Sequence, residues 1–335
     1  MSALGDIVHA LPVLAAIRAT YPAVEIDWLA DRKYAGILDL VDGISLRIIG
    51  RPGLVQAVAM MRRRAYDAAL DLQGLLKSAA MARLSGAKRV IGFERDALRE
   101  GSAAVFYSER VAVTVGGHII HKNLSLLSAL NIPAPYAVQF LFVVPTSSAA
   151  DGVAADAMSR GAGGFALINA GAAWPNKRWA PQRFGQVAQH VRARHALPSY
   201  VLWGAGEAGL ADAVVTASQG AAVRAPETSL GDLLALSSRA ALMISGDTGP
   251  VHLAAAMSTP IVGLYGPTWP ARNGPWSPAD EVVSRASGCQ CHHKRQCQRG
   301  GEGPVESRMC INEITVGDVT AAIDRRLARA DGAPR

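Results

Sequence analysis

Short apolar runs alternate with helix-length stretches along nearly the whole chain, and no other feature constrains the fold as much. A short apolar run between turn residues reads as a strand buried on both faces, and the amphipathic stretch after it as a crossover helix. In the first half, strands are expected at Val24–Leu29, Leu46–Ile49, Asp67–Leu72 and Arg89–Phe93, with helices at Ile7–Thr20, Leu54–Arg64 and Leu75–Leu84. A second series predicts strands at Phe165–Asn169, Tyr200–Trp203, Ala240–Ile244 and Ile261–Leu264. Its helices are Pro181–Arg194, Ala208–Ser218, Leu230–Ser237 and Val251–Met257. Between the series, Ile132–Ala150 carries Pro133, Pro135, Pro145, Thr146, Ser147 and Ser148, a breaker-rich stretch that suits a domain boundary. The predicted class is α/β: two doubly wound, Rossmann-like domains, 1–145 and 146–335, facing a central cleft at the carboxyl ends of their sheets.

Length supports two cores, since 335 residues exceed what one ordinary core accommodates. Hydrophobic residues make up 50% and charged residues 18%, which excludes a disordered chain. No apolar run reaches the ~18 residues of a membrane span. The first residues lack the basic region of a signal peptide, so a cytoplasmic location is expected. A net charge of +7 implies anionic partners. Aromatic residues are only 6% and no nucleic-acid-binding motif is present, so nucleic acid is not expected among them. A phosphorylated small molecule or an anionic lipid fits better.

The segment Ile244-Ser-Gly-Asp-Thr-Gly-Pro-Val-His-Leu-Ala-Ala-Ala256 carries the most chemistry. A strand-to-helix turn with Gly246, Asp247, Thr248 and Gly249 presents backbone N–H groups at a helix N-terminus, where a phosphate is stabilised. Asp247 can cap the helix or accept from a sugar hydroxyl, and His252 lies about one turn along. An N-capped helix with a buried histidine reads the same residues without a ligand. With Pro260-Ile-Val-Gly-Leu-Tyr-Gly-Pro-Thr268, the segment resembles the donor-binding signature of glycosyltransferase family 9, the ADP-heptose:lipopolysaccharide heptosyltransferases.

The resemblance extends over almost the whole chain. Leu4-Gly-Asp-Ile-Val-His-Ala-Leu-Pro12 is similar to the family's opening signature, which implies that Asp6 is the general base; a plain helix cap is the alternative. Asn169-Ala-Gly-Ala-Ala-Trp-Pro-Asn-Lys-Arg178 resembles the second donor motif, in which a lysine contacts the diphosphate, and Lys177 matches it. Some relatives carry hydroxyl residues where this chain has Ala172 and Ala173, so backbone N–H groups are expected to serve there. Trp203-Gly-Ala-Gly-Glu207 resembles the segment that supplies an acid to the ribose, although Glu207 reads equally as a surface charge.

On the acceptor side, Ala68–Ser78 and Arg89–Glu100 resemble the family's loops, which implies that Asp71, Gln73 and Lys77 face the cleft. Lys77, Arg95, Arg99 and His118 then suit an anionic acceptor, arginine pairing bidentately with carboxylates and phosphates. Solvated surface charges, and for His118 a helix-surface or core role, are the alternatives.

The resemblance implies a GT-B fold and an inverting transfer of heptose from ADP-heptose to an inner-core acceptor, Kdo of Kdo-lipid A, with peripheral contact at the inner membrane and no cofactor for catalysis. A sugar-nucleotide epimerase and a non-catalytic sugar-nucleotide or glycan-binding protein are the rival readings. Cys289, Cys291, Cys297 and Cys310 share one loop region with His292 and His293, a set suited to one structural zinc or iron or to free thiols. The abrupt opening, Met1–Leu4, leads us to expect that the natural start lies upstream and encodes an apolar first strand.

Overall fold

The computed structural model describes residues 4–49, 54–113, 117–299 and 309–331. The chain divides into two compact units, 1–143 and 144–335. In the first unit the elements run α1 (Leu4–Thr20), β1 (Asp27–Asp31), α2 (Ala35–Leu38), β2 (Ser45–Ile49), α3 (Leu54–Arg62), β3 (Ala68–Leu70), α4 (Leu76–Leu84), β4 (Arg89–Phe93), β5 (Glu109–Val111) and α5 (Ile119–Ser125). The second unit continues with α6 (Ser148–Ser159), β6 (Ala166–Asn169), α7 (Pro181–His195), β7 (Ser199–Leu202), α8 (Ala208–Ala217), β8 (Ala222–Arg224) and α9 (Leu230–Arg239). It closes with β9 (Leu242–Gly246), α10 (Gly249–Ala256), β10 (Ile261–Tyr265), α11 (Pro270–Asn273), β11 (Glu281–Ser284) and α12 (Val316–Asp331).

The second unit holds one six-stranded parallel sheet in the order β11-β10-β9-β6-β7-β8. Counted within the unit, this is the doubly wound order 3-2-1-4-5-6, with its topological switch point between β6 and β9. Ile168 pairs with Ile244 and Asn169 with Ser245 across that point. The four inner strands β10, β9, β6 and β7 are buried along their whole length, and Ala166, Ile168, Val201, Leu242, Ile244, Val262 and Leu264 share one buried core with Trp179 and Phe184.

The first unit is built differently. Its strands form a parallel pair, β1-β2, and a separate parallel trio, β3-β4-β5. Helix α1 is buried on every side along its middle, where every residue from Ile7 to Ala16 is buried. Helix α5 packs against it.

The strand expected at Asp67–Leu72 stops at Leu70, because Asp71 turns inward and organises the following loop. Strands β5, β8 and β11 and helices α5, α6 and α12 were not among the predicted elements. The three strands are short and each carries charged or exposed positions, so neither a continuous apolar run nor clean alternation marks them. Of the opening residues quoted for the upstream expectation, Met1, Ser2 and Ala3 lie outside the described residues.

Candidate active site

At the switch point of the second unit, three loops leave the carboxyl ends of β6, β7 and β9. Asn169, the last residue of β6, is buried and joins two of them. Its amide donates to the Gly171 carbonyl (3.2 Å), the Ser245 hydroxyl (3.1 Å) and Thr248 Oγ1 (2.9 Å). Such a hub holds the 170–178 loop against the turn that opens α10. Composition gives no hint of it, since an asparagine ending a strand looks like an ordinary turn residue.

Lys177 ends a short 3₁₀ turn, Pro175–Lys177, and reaches the buried Asp247. Its Nζ lies 2.6 Å from Asp247 Oδ2 and 3.2 Å from the Asp247 carbonyl, and 4.6 Å from the centre of the Trp174 ring. His252 Nε2 approaches the other carboxylate oxygen at 3.3 Å. Burial alone would raise the Asp247 carboxyl, but the His252 hydrogen bond and the Lys177 charge outweigh it and hold the group well below the usual carboxylate range. The side chains of Lys177, His252 and Asp247 are 16%, 7% and 4% exposed, so the lysine is the member that reaches outward.

This geometry revises the expectation for Asp247. The helix cap is Thr248, and no side chain caps the first turn of α10. The Asp247 carboxylate oxygens are approached by Lys177 and His252, so the aspartate holds the lysine in place. Thr248 Oγ1 is likewise occupied by Asn169 and Ser245, while Gly249 opens the helix. Glu207, expected at the ribose, is half-buried on the third loop, where its Oε2 accepts from the Gly204 N–H at 3.1 Å. A Cβ on Gly171 would meet that carboxylate at 2.4 Å, so the loops after β6 and β7 touch. Two further residues feel this environment: His293, grouped above with the cysteines, and Tyr265 of the Pro260–Thr268 segment. Burial lowers the His293 pKa, reinforced by Arg272, and burial raises that of Tyr265, reinforced by the Asp247 charge.

In the first unit, Asp6 is exposed in the first turn of α1, where a carboxylate suits the helix dipole. His9 lies one turn further along, and its ring meets that of His118 edge-on at 5.6 Å. His118 caps α5, its Nδ1 accepting from the Ile120 N–H at 3.2 Å.

Lys77, Arg95 and Arg99 are exposed on the segments that follow β3 and β4. The Leu76 N–H donates to Glu100 Oε2 at 2.7 Å, which ties the two segments together. Asp71, expected to face the cleft, is turned inward. It is buried, and accepts from the Gln73 and Gly74 N–H groups, from the Ser78 hydroxyl at 2.9 Å and from the Tyr107 hydroxyl at 2.7 Å. With four donors around a buried carboxylate, Asp71 holds the loop in shape.

The four cysteines are gathered, with Cys289, Cys291 and Cys310 buried and Cys297 half-buried. Cys289 and Cys291 sulfurs are 3.4 Å apart. Burial and the neighbouring thiols push the Cys310 thiol up to about 12. Among the described residues, however, the cysteines do not form a set of three ligand atoms within 4.8 Å of one another, and His292 stacks on Trp269 at 4.6 Å instead of joining them. Of the two readings of these cysteines, a zinc or iron site is not preassembled among the described residues.

No helix among the described residues is long and apolar enough to cross a membrane. The family model "Glycosyltransferase family 9 (heptosyltransferase)" matches residues 56–301. A lipopolysaccharide heptosyltransferase 1 from Pseudomonas aeruginosa is 29% identical, covering 88% of this chain and 85% of its own. Two solved structures share the fold. Escherichia coli heptosyltransferase WaaC with ADP-2-deoxy-2-fluoro heptose has a TM-score of 0.72 at 20% identity, covering 97% of each chain. A family 9 glycosyl transferase from Veillonella parvula has a TM-score of 0.76 at 19% identity, covering 98% and 95%. With a family model that spans most of its length and a doubly wound second unit carrying the switch-point loops, the chain belongs to glycosyltransferase family 9, the heptosyltransferases, and has their α/β GT-B fold.

Proposed function

We propose that this transferase moves heptose from ADP-heptose to an inner-core sugar of lipopolysaccharide, with inversion at the anomeric carbon. The observation that carries the reading is Lys177, fixed by the buried Asp247 and His252 beside an uncapped helix N-terminus at a topological switch point. That arrangement suits a diphosphate: a cation held in place and backbone donors at the start of α10. The donor's identity draws on the E. coli structure solved with an ADP-heptose analogue.

In this reading Asp6 takes the proton of the acceptor hydroxyl as its oxygen bonds to the anomeric carbon. The bond from that carbon to the diphosphate oxygen breaks on the opposite face, and ADP leaves with the electron pair. Lys177 and the α10 donors stabilise the developing charge, so the leaving group needs no proton. Glu207 serves the ribose. Lys77, Arg95, Arg99 and His118 bind an anionic acceptor of the Kdo-lipid A type, a choice supported by relatives named lipopolysaccharide heptosyltransferase 1. Such an acceptor brings the protein to the cytoplasmic face of the inner membrane. The structure offers no preassembled metal site at the cysteines, and the proposed chemistry requires none.

The test is to incubate purified protein with ADP-heptose and a panel of heptose-free core acceptors. Release of ADP that depends on a Kdo-lipid A acceptor is expected. Conversion of the donor without acceptor, or no turnover with any acceptor, would overturn the proposal in favour of an epimerase or a binding protein.

A further inference from the structure

Beyond the transferase site, one cluster of metal-ligating side chains has been given no role. His190 and His195 lie in the C-terminal half of α7, and Asp324 lies on α12, which packs against it. His190 Nε2 is 2.8 Å and His195 Nε2 2.7 Å from the same oxygen, Asp324 Oδ1. All three ligand atoms lie within 4.8 Å of one another, the one such group among the described residues.

Neighbouring cations are directed elsewhere. Arg192 donates to the Ala196 and Arg160 carbonyls, while Arg325 and Arg329 pair with Glu281. On a helix as arginine-rich as α12, Asp324 thus has imidazoles as partners rather than a guanidinium. The side chains of His190, His195 and Asp324 are 28%, 19% and 43% exposed, enough for an ion to enter and for water to complete its shell.

We propose that His190, His195 and Asp324 form a binding site for a divalent transition-metal ion of the zinc type, which clasps the C-terminal helix to α7. Two imidazole nitrogens and one carboxylate oxygen favour zinc, nickel or cobalt over magnesium or calcium, which prefer oxygen alone. Zinc bonds of about 2.0–2.1 Å to nitrogen place tetrahedral ligand atoms roughly 3.3 Å apart, so small side-chain shifts suffice. Each Nε2 must present its lone pair to the ion, with the ring proton on Nδ1, and any imidazolium releases a proton. Helix α7 begins beside the Lys177 loop and runs about 20 Å to His195, so the clasp sits at the end remote from the transfer chemistry. Its role is to fasten the fold: an ion bound only by the native state raises stability by mass action.

Equilibrium dialysis of zinc against the full chain tests this with His190→Gln and Asp324→Asn. Wild type is expected to hold one zinc equivalent that both variants lose or bind at least tenfold more weakly, and zinc should raise the melting temperature of wild type alone. Equal stoichiometry and affinity in all three proteins would overturn the proposal. Because a variant can misfold, cobalt absorption of wild type supplies an independent readout. Ligand-field bands without sulfur-to-metal charge transfer are expected for this site. Cobalt ligated by thiolate only would assign the metal to the cysteines and refute the clasp.

Discussion

The two units hold their candidate site charges in opposite ways. In the second unit Lys177, Asp247 and His252 are largely buried, mutually paired and set at the switch point of one continuous six-stranded sheet. In the first unit, whose strands form a pair and a separate trio, Asp6, Lys77, Arg95 and Arg99 are exposed. Buried charges survive only when paired, and pairing fixes their positions, which suits a small ligand of constant shape such as a diphosphate. Exposed cations are free to adapt to a large anion of variable shape, such as the acceptor proposed above, each contributing little.

The largest expected effect tests the exposed unit. Asp6→Asn retains the shape of the side chain and remains a good helix-terminal residue, yet cannot accept a proton. Turnover should fall about a hundredfold to ten-thousandfold, with ADP-heptose affinity unchanged in calorimetric titration. Wild-type turnover would leave Asp6 a structural residue and reduce the first unit to acceptor binding.

Next comes the buried pair. Asp247→Ala leaves the Lys177 charge without its partner and should destabilise the protein by about 3–5 kcal/mol, measured by denaturant unfolding, as well as weakening donor binding. Lys177→Ala should weaken ADP binding about ten- to a hundredfold, the cost of one charge-assisted hydrogen bond. The pH dependence follows from the direction of the Asp247 shift. Its carboxyl is held below its ordinary value in the folded chain, so its stabilisation is complete above roughly pH 4 and is lost as the pH falls through the lower folded-state value. Asp247→Asn should flatten that part of the acid-unfolding profile. An unchanged profile would mean that the pair contributes nothing to stability.

Smaller effects are expected from the solvated cations. Lys77→Ala, Arg95→Ala and Arg99→Ala should each raise the acceptor KM by up to about fivefold, more at low salt, without altering donor affinity. A loss as large as that of Lys177→Ala would show that the acceptor loops are as pre-organised as the donor site, and the contrast between the units would fail.

The smallest effect concerns the cysteines. Alkylation near pH 8 should modify the half-buried Cys297 first, because burial excludes reagent from the other three and the Cys310 thiol, raised to about 12, yields little thiolate. Chelation should leave these thiols equally titratable. Protection of all four until a chelator is added would restore the metal reading.

The alternation of apolar runs and helices sufficed for the α/β class, and the turn at Gly246–Gly249 and the loop carrying Lys177 were legible because strand, turn and helix signals are local. What each side chain does there was not. Asp247 read as a cap or a sugar acceptor, and only the fold placed Lys177, 70 residues earlier in the chain, against it. Asp71 read as a cleft-facing residue until Tyr107, 36 residues on, turned it into the anchor of its own loop. Asn169 acquired its role only when β6 paired with β9. His195 and Asp324, 129 positions apart, share no sequence signal at all. Periodicity and turn chemistry are written within a few residues and fix which elements form. Partnership between side chains depends on strand order and helix packing, which bring distant positions within hydrogen-bond reach only after the chain has folded.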